Sequence, residues 1–230
     1  MANERGLMTK GVIWKQILWF SLPLLLGNLF QQLYNTVDSI VVGQTIGSHA
    51  LAAVGSSNPI INLLVSFFMG LSVGASVIIS QSYGAQDNER LHKAVHTAIA
   101  LAIVGGLFLM VVGILFTPLI LTWVGTPAEV MEGSQLYLRI YFTGILGVVI
   151  YNIGSGILRA LGDSKTPLYF LIGSALMNIV LDIVFVVGLQ MGVGGVAWAT
   201  TISQAVSGIL ILVVLSRSQE AHRLVFKEIR

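Results

Sequence analysis

Six stretches of this chain stay apolar for about 20 residues or more, the length a helix needs to cross roughly 30 Å of hydrocarbon. They cover residues 13–42, 59–83, 94–118, 136–158, 167–188 and 194–215. The composition agrees: 55% of the residues are hydrophobic and 10% are charged, where a soluble domain carries about 25% charge. The expected fold is all-α, a polytopic transmembrane bundle of six helices. The first stretch is longer than a span requires and contains Pro23, which predicts a tilt or kink. Pro59 and Pro167 stand where the second and fifth helices are expected to begin.

Charge placement sets the expected orientation. Arg5, Lys10 and Lys15 precede the first span, Arg90 and Lys93 lie between the second and third, and Arg159 and Lys165 between the fourth and fifth. Arg217, Arg223, Lys227 and Arg230 follow the sixth. The alternate connections, 43–58, 119–135 and 189–193, carry no Lys or Arg, and Arg139 just inside the fourth span is the one exception. Positive connections face the cytoplasm, so both termini are expected there, with the protein multi-pass in the plasma membrane of a bacterial or archaeal cell. Residues 1–11 are short and polar, and the run after them is too long for a signal-peptide core, so it reads as a retained first span. The division is 1–216 as a six-span lobe and 217–230 as a basic tail or linker. The absence of cysteine excludes disulfides and thiolate metal sites. A basic pI in such a chain reports loop charge, so nucleic acid is not an expected partner; the lipid bilayer is.

Polar residues inside the spans are where function is sought. In the first, Asn28, Gln31, Gln32, Asn35 and Asp38 fall on one side of a helix at 100° per residue. An Asp at mid-membrane costs about 2.5–3.5 kcal/mol on insertion scales, and such residues usually face the bundle interior or a water-filled cavity. Asp182 is the second intramembrane carboxylate, roughly 9 Å from the outer end of span five at 1.5 Å per residue. Asn178 lies one turn away on the same face. Thr200 reaches a similar depth from span six, and Gln204 and Ser207 continue its face. Burial disfavours the charged form of a carboxylate, and two close carboxylates titrate together. Such a pair can hold a proton, or a small hard cation with help from amide and hydroxyl oxygens. The bland alternative is that these groups only tie helices together.

Other features point to structure. His92 and His96 are spaced i, i+4 without a third ligand nearby. Gly192-Val-Gly194-Gly195 reads as a tight turn, and the small residues from Gly70 to Ser76, Gly105-Gly106 and Gly154-Ser-Gly156 as sites of close helix contact. Trp14, Trp19 and Trp123 suit interfacial anchoring, and Trp198 a packed position. Asp87, Glu89, Arg90 and Asp163 read as solvated loop charges. No P-loop or nucleophile-elbow motif occurs, so the chain does not read as an enzyme and no cofactor is expected.

Several segments together resemble MATE (multidrug and toxic compound extrusion) transporters. They are Phe30-Gln-Gln-Leu-Tyr-Asn-Thr-Val-Asp38-Ser-Ile-Val-Val-Gly43-Gln, Ala50-Leu-Ala-Ala-Val-Gly55, Gln81-Ser-Tyr-Gly84-Ala, Arg159-Ala-Leu-Gly162-Asp163-Ser-Lys-Thr166-Pro167 and Asn178-Ile-Val-Leu-Asp182. The resemblance covers essentially the whole chain. It implies one lobe of a twelve-helix antiporter that exports organic, often cationic, drugs or toxic compounds in exchange for protons or sodium ions. It implies a cation-coupling site at Asp38, Asn178, Asp182 and Thr200, which would be the metal ligands if sodium is the ion, with Tyr137 joining that network. Gln31, Tyr34 and Asn152 are implied cavity residues, and Pro23 a point of helix bending. The chain has about half the family's length, so a second six-helix lobe is expected as partner: its own C-terminal half, a second copy, or another half. Two competing readings are a flippase-like transporter of lipid-linked saccharides and a non-transporting membrane partner or fragment.

Overall fold

The computed structural model describes residues 12–218 and 223–225. Arg5, Lys10, Lys227 and Arg230, and with them parts of the basic ends, lie outside the described residues. The helices are α1 (Ile13–Thr45), α2 (Ser48–Gly84), α3 (Asn88–Trp123), α4 (Met131–Ala160), α5 (Lys165–Asp182) and α6 (Gly192–Arg217). A 3₁₀ turn, Ala128–Val130, leads into α4, and a π-helix, Ile183–Gly188, continues α5. Among the described residues, six helices are long and apolar enough to cross a membrane. The chain is a multi-pass membrane protein whose fold is an all-α bundle.

The helices overrun the apolar stretches. α2 has 37 residues, about 55 Å at 1.5 Å per residue, well beyond the hydrocarbon. Pro59 is therefore inside α2, not at its start as expected, and Pro118 likewise lies inside α3. Polar residues upstream of Pro59 still form helix because α2 continues past the apolar layer. Pro167 is the third residue of α5, within the first turn where a missing N–H costs least.

Short polar signals stop and restart the helices. Asp87 Oδ1 accepts from Arg90 N–H at 3.0 Å and caps α3. Asp163 Oδ1 accepts from Lys165 N–H and Thr166 N–H, each at 3.0 Å, and its Oδ2 from Thr166 Oγ1 at 2.5 Å. These two carboxylates are helix caps, not idle loop charges. Glu89 pairs with Lys93 at 2.5 Å on the exposed face of α3. Gly162 turns the chain with φ of 90°, a backbone setting that side chains with a Cβ rarely adopt.

α4 is the central helix, packed on α2, α3 and α6. Its Ile145, Val149, Ile153 and Ile157 are fully buried, and the core around them includes Ile79, Ile99, Phe142 and Ile211. α1 is peripheral and leans mainly on α5. Its Trp14, Trp19, Leu25 and Leu29 are exposed, as lipid-facing side chains should be. Trp123 is exposed too, and Trp198, expected to be packed, is 39% exposed.

Glycine sets the tightest contacts, and they centre on α4. A Cβ at Gly147 would lie 2.7 Å from Ala205 Cα, and one at Gly208 would lie 2.8 Å from the Gly147 carbonyl oxygen. Gly144 is pressed on Thr201, Gly106 on Leu146 and Gly156 on Ser72. By contrast, a Cβ at Gly70 or Gly74 would meet nothing within 4 Å, so the α2 glycines are not packing contacts. Where the backbones approach, hydroxyls bond across: Ser72 Oγ donates to Asn152 O at 2.9 Å, and Ser76 Oγ to Gly156 O at 3.1 Å. Gly147→Val and Gly208→Val are expected to force α4 from α6 and to cost about 1–3 kcal/mol. Thermal unfolding in detergent checks this, with Gly74→Ala, whose added Cβ meets nothing within 4 Å, expected not to lower the midpoint.

Candidate functional site

The polar residues of α1 divide into two sets. Tyr34 and Asp38, one turn apart, turn toward α5 and α6 and are partly buried. Asn28, Gln31, Gln32 and Asn35 lie on the flank and are exposed on the described surface. Their side chains face away from the α1 seam, and Gln31 borders the cleft described below. A face of about a third of a helix is wider than the seam α1 makes with its neighbours.

The inward set meets three other helices. Asp182 and Asn178 of α5 are each 1% exposed, Thr200 of α6 is 5% exposed and Tyr137 of α4 is 4% exposed. Tyr34 Oη and Thr200 Oγ1 lie 3.5 Å apart. The Asn178 amide sits between α5 and α6. In the orientation that satisfies both neighbours, its Nδ2 donates to Asp182 Oδ2 at 3.0 Å and its Oδ1 accepts from Thr200 N–H at 3.2 Å. Asp38 and Asp182 are close enough to interact directly, and Tyr137 lies within the electrostatic reach of both and of Tyr34. Asp38, Asn178, Asp182, Thr200 and Tyr137, picked out from four separate segments, are thus brought to one place.

Two oxygens there are left over. Asp38 Oδ1 and Asp182 Oδ1 are buried and have no hydrogen-bond partner among the described residues. Buried polar atoms are nearly always paired, and a buried charge must be paired or neutralised. A shared proton or a small monovalent cation satisfies both oxygens at once. Among the described residues no group of three or more His, Cys, Asp or Glu could hold a metal ion. With two carboxylates and neutral oxygens, the donor set suits a proton or a hard monovalent ion better than a transition metal.

An apolar layer covers the site on the side away from the termini. Val42, Val186 and Val196 lie four residues from Asp38, Asp182 and Thr200, each in the direction of that end, and they form a buried cluster with Val54 and Tyr137. On the opposite side is a cleft lined by Gln31, Tyr34, Leu171, Ser174, Ala175, Asn178, Ser203 and Gln204. Tyr34 and Asn178 belong to both the cleft and the carboxylate site. Asn152, expected in the cavity, does not line this cleft; its amide donates to Val148 O at 2.8 Å within α4. Ser207 is buried in α6 and is not part of the cleft lining. Pro23 is buried within an α1 that stays helical through it.

Sequence reasoning missed three features. Ser174 donates to Ser203 O at 2.9 Å and ties α5 to α6 beside the cleft. Ser203 Oγ is buried, without a partner among the described residues, and lines the cleft. The third is the π-helix that begins right after Asp182, with Leu189 N–H donating to Val184 O at 2.9 Å. Such segments recur at functional sites. Its signal was present in Ile183-Val-Phe-Val-Val, a run in which β-branched side chains crowd an ordinary helical turn.

Replacing Asn178 by Leu leaves Asp182 Oδ2 without its donor. The expected loss is about 1–3 kcal/mol, read as a lower thermal midpoint in detergent. Gln204→Leu, at the partly exposed edge of the cleft, is expected to leave the midpoint in place.

A family model described as MatE matches residues 23–184. The chain is 38% identical over 213 residues to the "Probable multidrug resistance protein YoeA" of Bacillus subtilis (strain 168), covering 91% of this chain and 46% of that protein. The outward-facing conformation of a multidrug resistance MATE family transporter of the MOP superfamily matches with a TM-score of 0.91 and 28% identity, over 100% of this chain and 51% of that one. The crystal structure of MATE in the bent conformation matches with a TM-score of 0.90 and 28% identity, over 100% and 51%. The chain spans about half the length of the relatives it matches.

Proposed function

Because the chain belongs to the MatE family and corresponds to the N-terminal half of its full-length members, we propose that it is the ion-coupling lobe of a secondary active antiporter. This is a family of transporters, not enzymes. In this reading the lobe exchanges protons or sodium ions for drug-like organic cations. Asp38 and Asp182 take up the coupling ion. Asn178 and Thr200 supply the neutral oxygens, and Tyr137 closes the site from α4.

The observation that carries the reading is the pair of buried carboxylates, each with one unpartnered oxygen. Binding there drives transport only if the ion prefers one conformation. α1 and α5 supply one carboxylate each, so a proton or cation between them draws the two helices together. Without it the two charges repel. Pro23 removes one hydrogen bond from α1 and provides a place for that helix to bend. The bend would pass the change to Gln31 and Tyr34, which border the cleft.

The exposed flank of α1 supports a second lobe. Asn28, Gln31, Gln32 and Asn35 at membrane depth are costly against lipid. Facing a partner across a water-filled cavity, they are solvated. The proposed partner is a second six-helix lobe, supplied in full-length relatives by the C-terminal half. The intramembrane charges of the site are both acidic, which favours a cationic substrate over the anionic headgroups of lipid-linked saccharides. The charge asymmetry of the connections supports cytoplasmic termini, with the cation site in the outer half of the bundle.

Asp38→Asn and Asp182→Asn are each expected to abolish coupled efflux of a fluorescent organic cation from cells making the complete two-lobe transporter, with membrane insertion retained. Efflux at the unsubstituted rate in either variant would overturn the assignment.

A further inference from the structure

The His92–His96 pair has no part in the ion site, and its surroundings give it another role. We propose that the groove between the end of α6 and the first turns of α3 is a binding seat for the polypeptide that leaves α6, with His96 as the residue that recognises it. Residues 223–225 fill this groove. Leu224 is 2% exposed and belongs to the main core together with Leu91, Val95 and Leu215. Its N–H donates to Leu215 O at 3.0 Å. Arg223 Nε donates to Ser216 O at 3.2 Å. Leu215 and Ser216 lie in the last turn of α6, where carbonyls have no partner within the helix. The returning segment supplies their donors.

His96 makes the seat specific. It is 4% exposed, its Nδ1 lies 2.8 Å from His92 O, and its Nε2 accepts from Val225 N–H at 3.0 Å. A carbonyl oxygen can only accept, so Nδ1 carries the proton and Nε2 is left as the acceptor. The His92 ring packs against it at 4.0 Å between centroids and holds the imidazole in place. The seat therefore reads an apolar side chain followed by a free backbone N–H. In full-length relatives the chain runs on past this point. The seat then fixes the start of the connection to the second half on the lobe that carries the carboxylate pair. It does not rest on the antiporter reading, and its test uses no transport assay.

The chain has no cysteine, so single thiols can be introduced cleanly. Leu224→Cys and Arg223→Cys are made in the full chain, purified in detergent and labelled with a maleimide. Cysteine at 224 is expected to react far more slowly than cysteine at its exposed neighbour 223. Adding His96→Phe, which keeps a ring but no acceptor, raises the rate at 224 about threefold to tenfold, the shift expected from losing one hydrogen bond. His96→Gln, whose amide oxygen can replace Nε2, restores the slow rate. Cysteine placed instead at fully buried Val196, in the apolar layer at the far end of the lobe, stays slow throughout, which separates release of the seat from loss of fold. Equal rates at 223 and 224 with His96 present would overturn the seat. A rate at 224 indifferent to His96→Phe would overturn the role of His96.

Discussion

Two carboxyl groups on different helices, removed from water and set against each other, are the constraint on which this lobe turns. Neither Asp38 nor Asp182 can be charged there without compensation. The neighbours compensate only in part. Asn178 serves one oxygen of Asp182, and Thr200 engages Tyr34 and Asn178. One oxygen of each carboxyl is left without a partner among the described residues, and the proposed coupling ion takes up that pair. A fully satisfied network would hold α1 against α5 permanently. In the proposed coupling, a partly satisfied one lets an ion decide how closely they meet.

The rest of the fold divides into a part that holds still and a part that can respond. α4 is clamped by glycine contacts to α6 and α3 and by serine hydroxyls to α2, and its face is apolar and dense. α1 has no such clamp; it touches the bundle mainly along α5 and exposes most of its side chains. Packed interiors switch between discrete arrangements and do not deform smoothly. In the proposed cycle the peripheral helix carrying Asp38 and Pro23 is the element that moves, while α4 and α6 preserve the geometry of Tyr137 and Thr200. The π-helix after Asp182 adds a point where α5 departs from regular helix next to the second carboxylate.

Much of this was legible in the sequence, for definite reasons. Hydrocarbon thickness made the spans countable. Asp38, Asn178, Asp182 and Thr200 stood out because polar groups at that depth are expensive, and helix counting gave their common depth. The exposure of Asn28, Gln31, Gln32 and Asn35 was not legible, since periodicity gives a face and not what covers it. Pro59 was misplaced because hydropathy marks the apolar layer while helices run beyond it. Gly147 and Gly208 escaped notice because a lone glycine becomes a contact only once the facing helix is known. The i, i+4 spacing of His92 and His96 carries no third metal ligand, and the partner His96 does have, the backbone of Val225, carries no sequence signal.

The carboxylate pair can be observed directly through its carboxyl stretching vibration. Infrared difference spectra of the purified chain, recorded across pH with and without sodium, should contain a protonated-carboxyl band that disappears in both Asp38→Asn and Asp182→Asn. Sodium should suppress the band if sodium competes for the site and leave it unchanged if only protons bind. Spectra of the two variants identical to those of the unsubstituted chain, under every condition, would contradict a shared ion between Asp38 and Asp182.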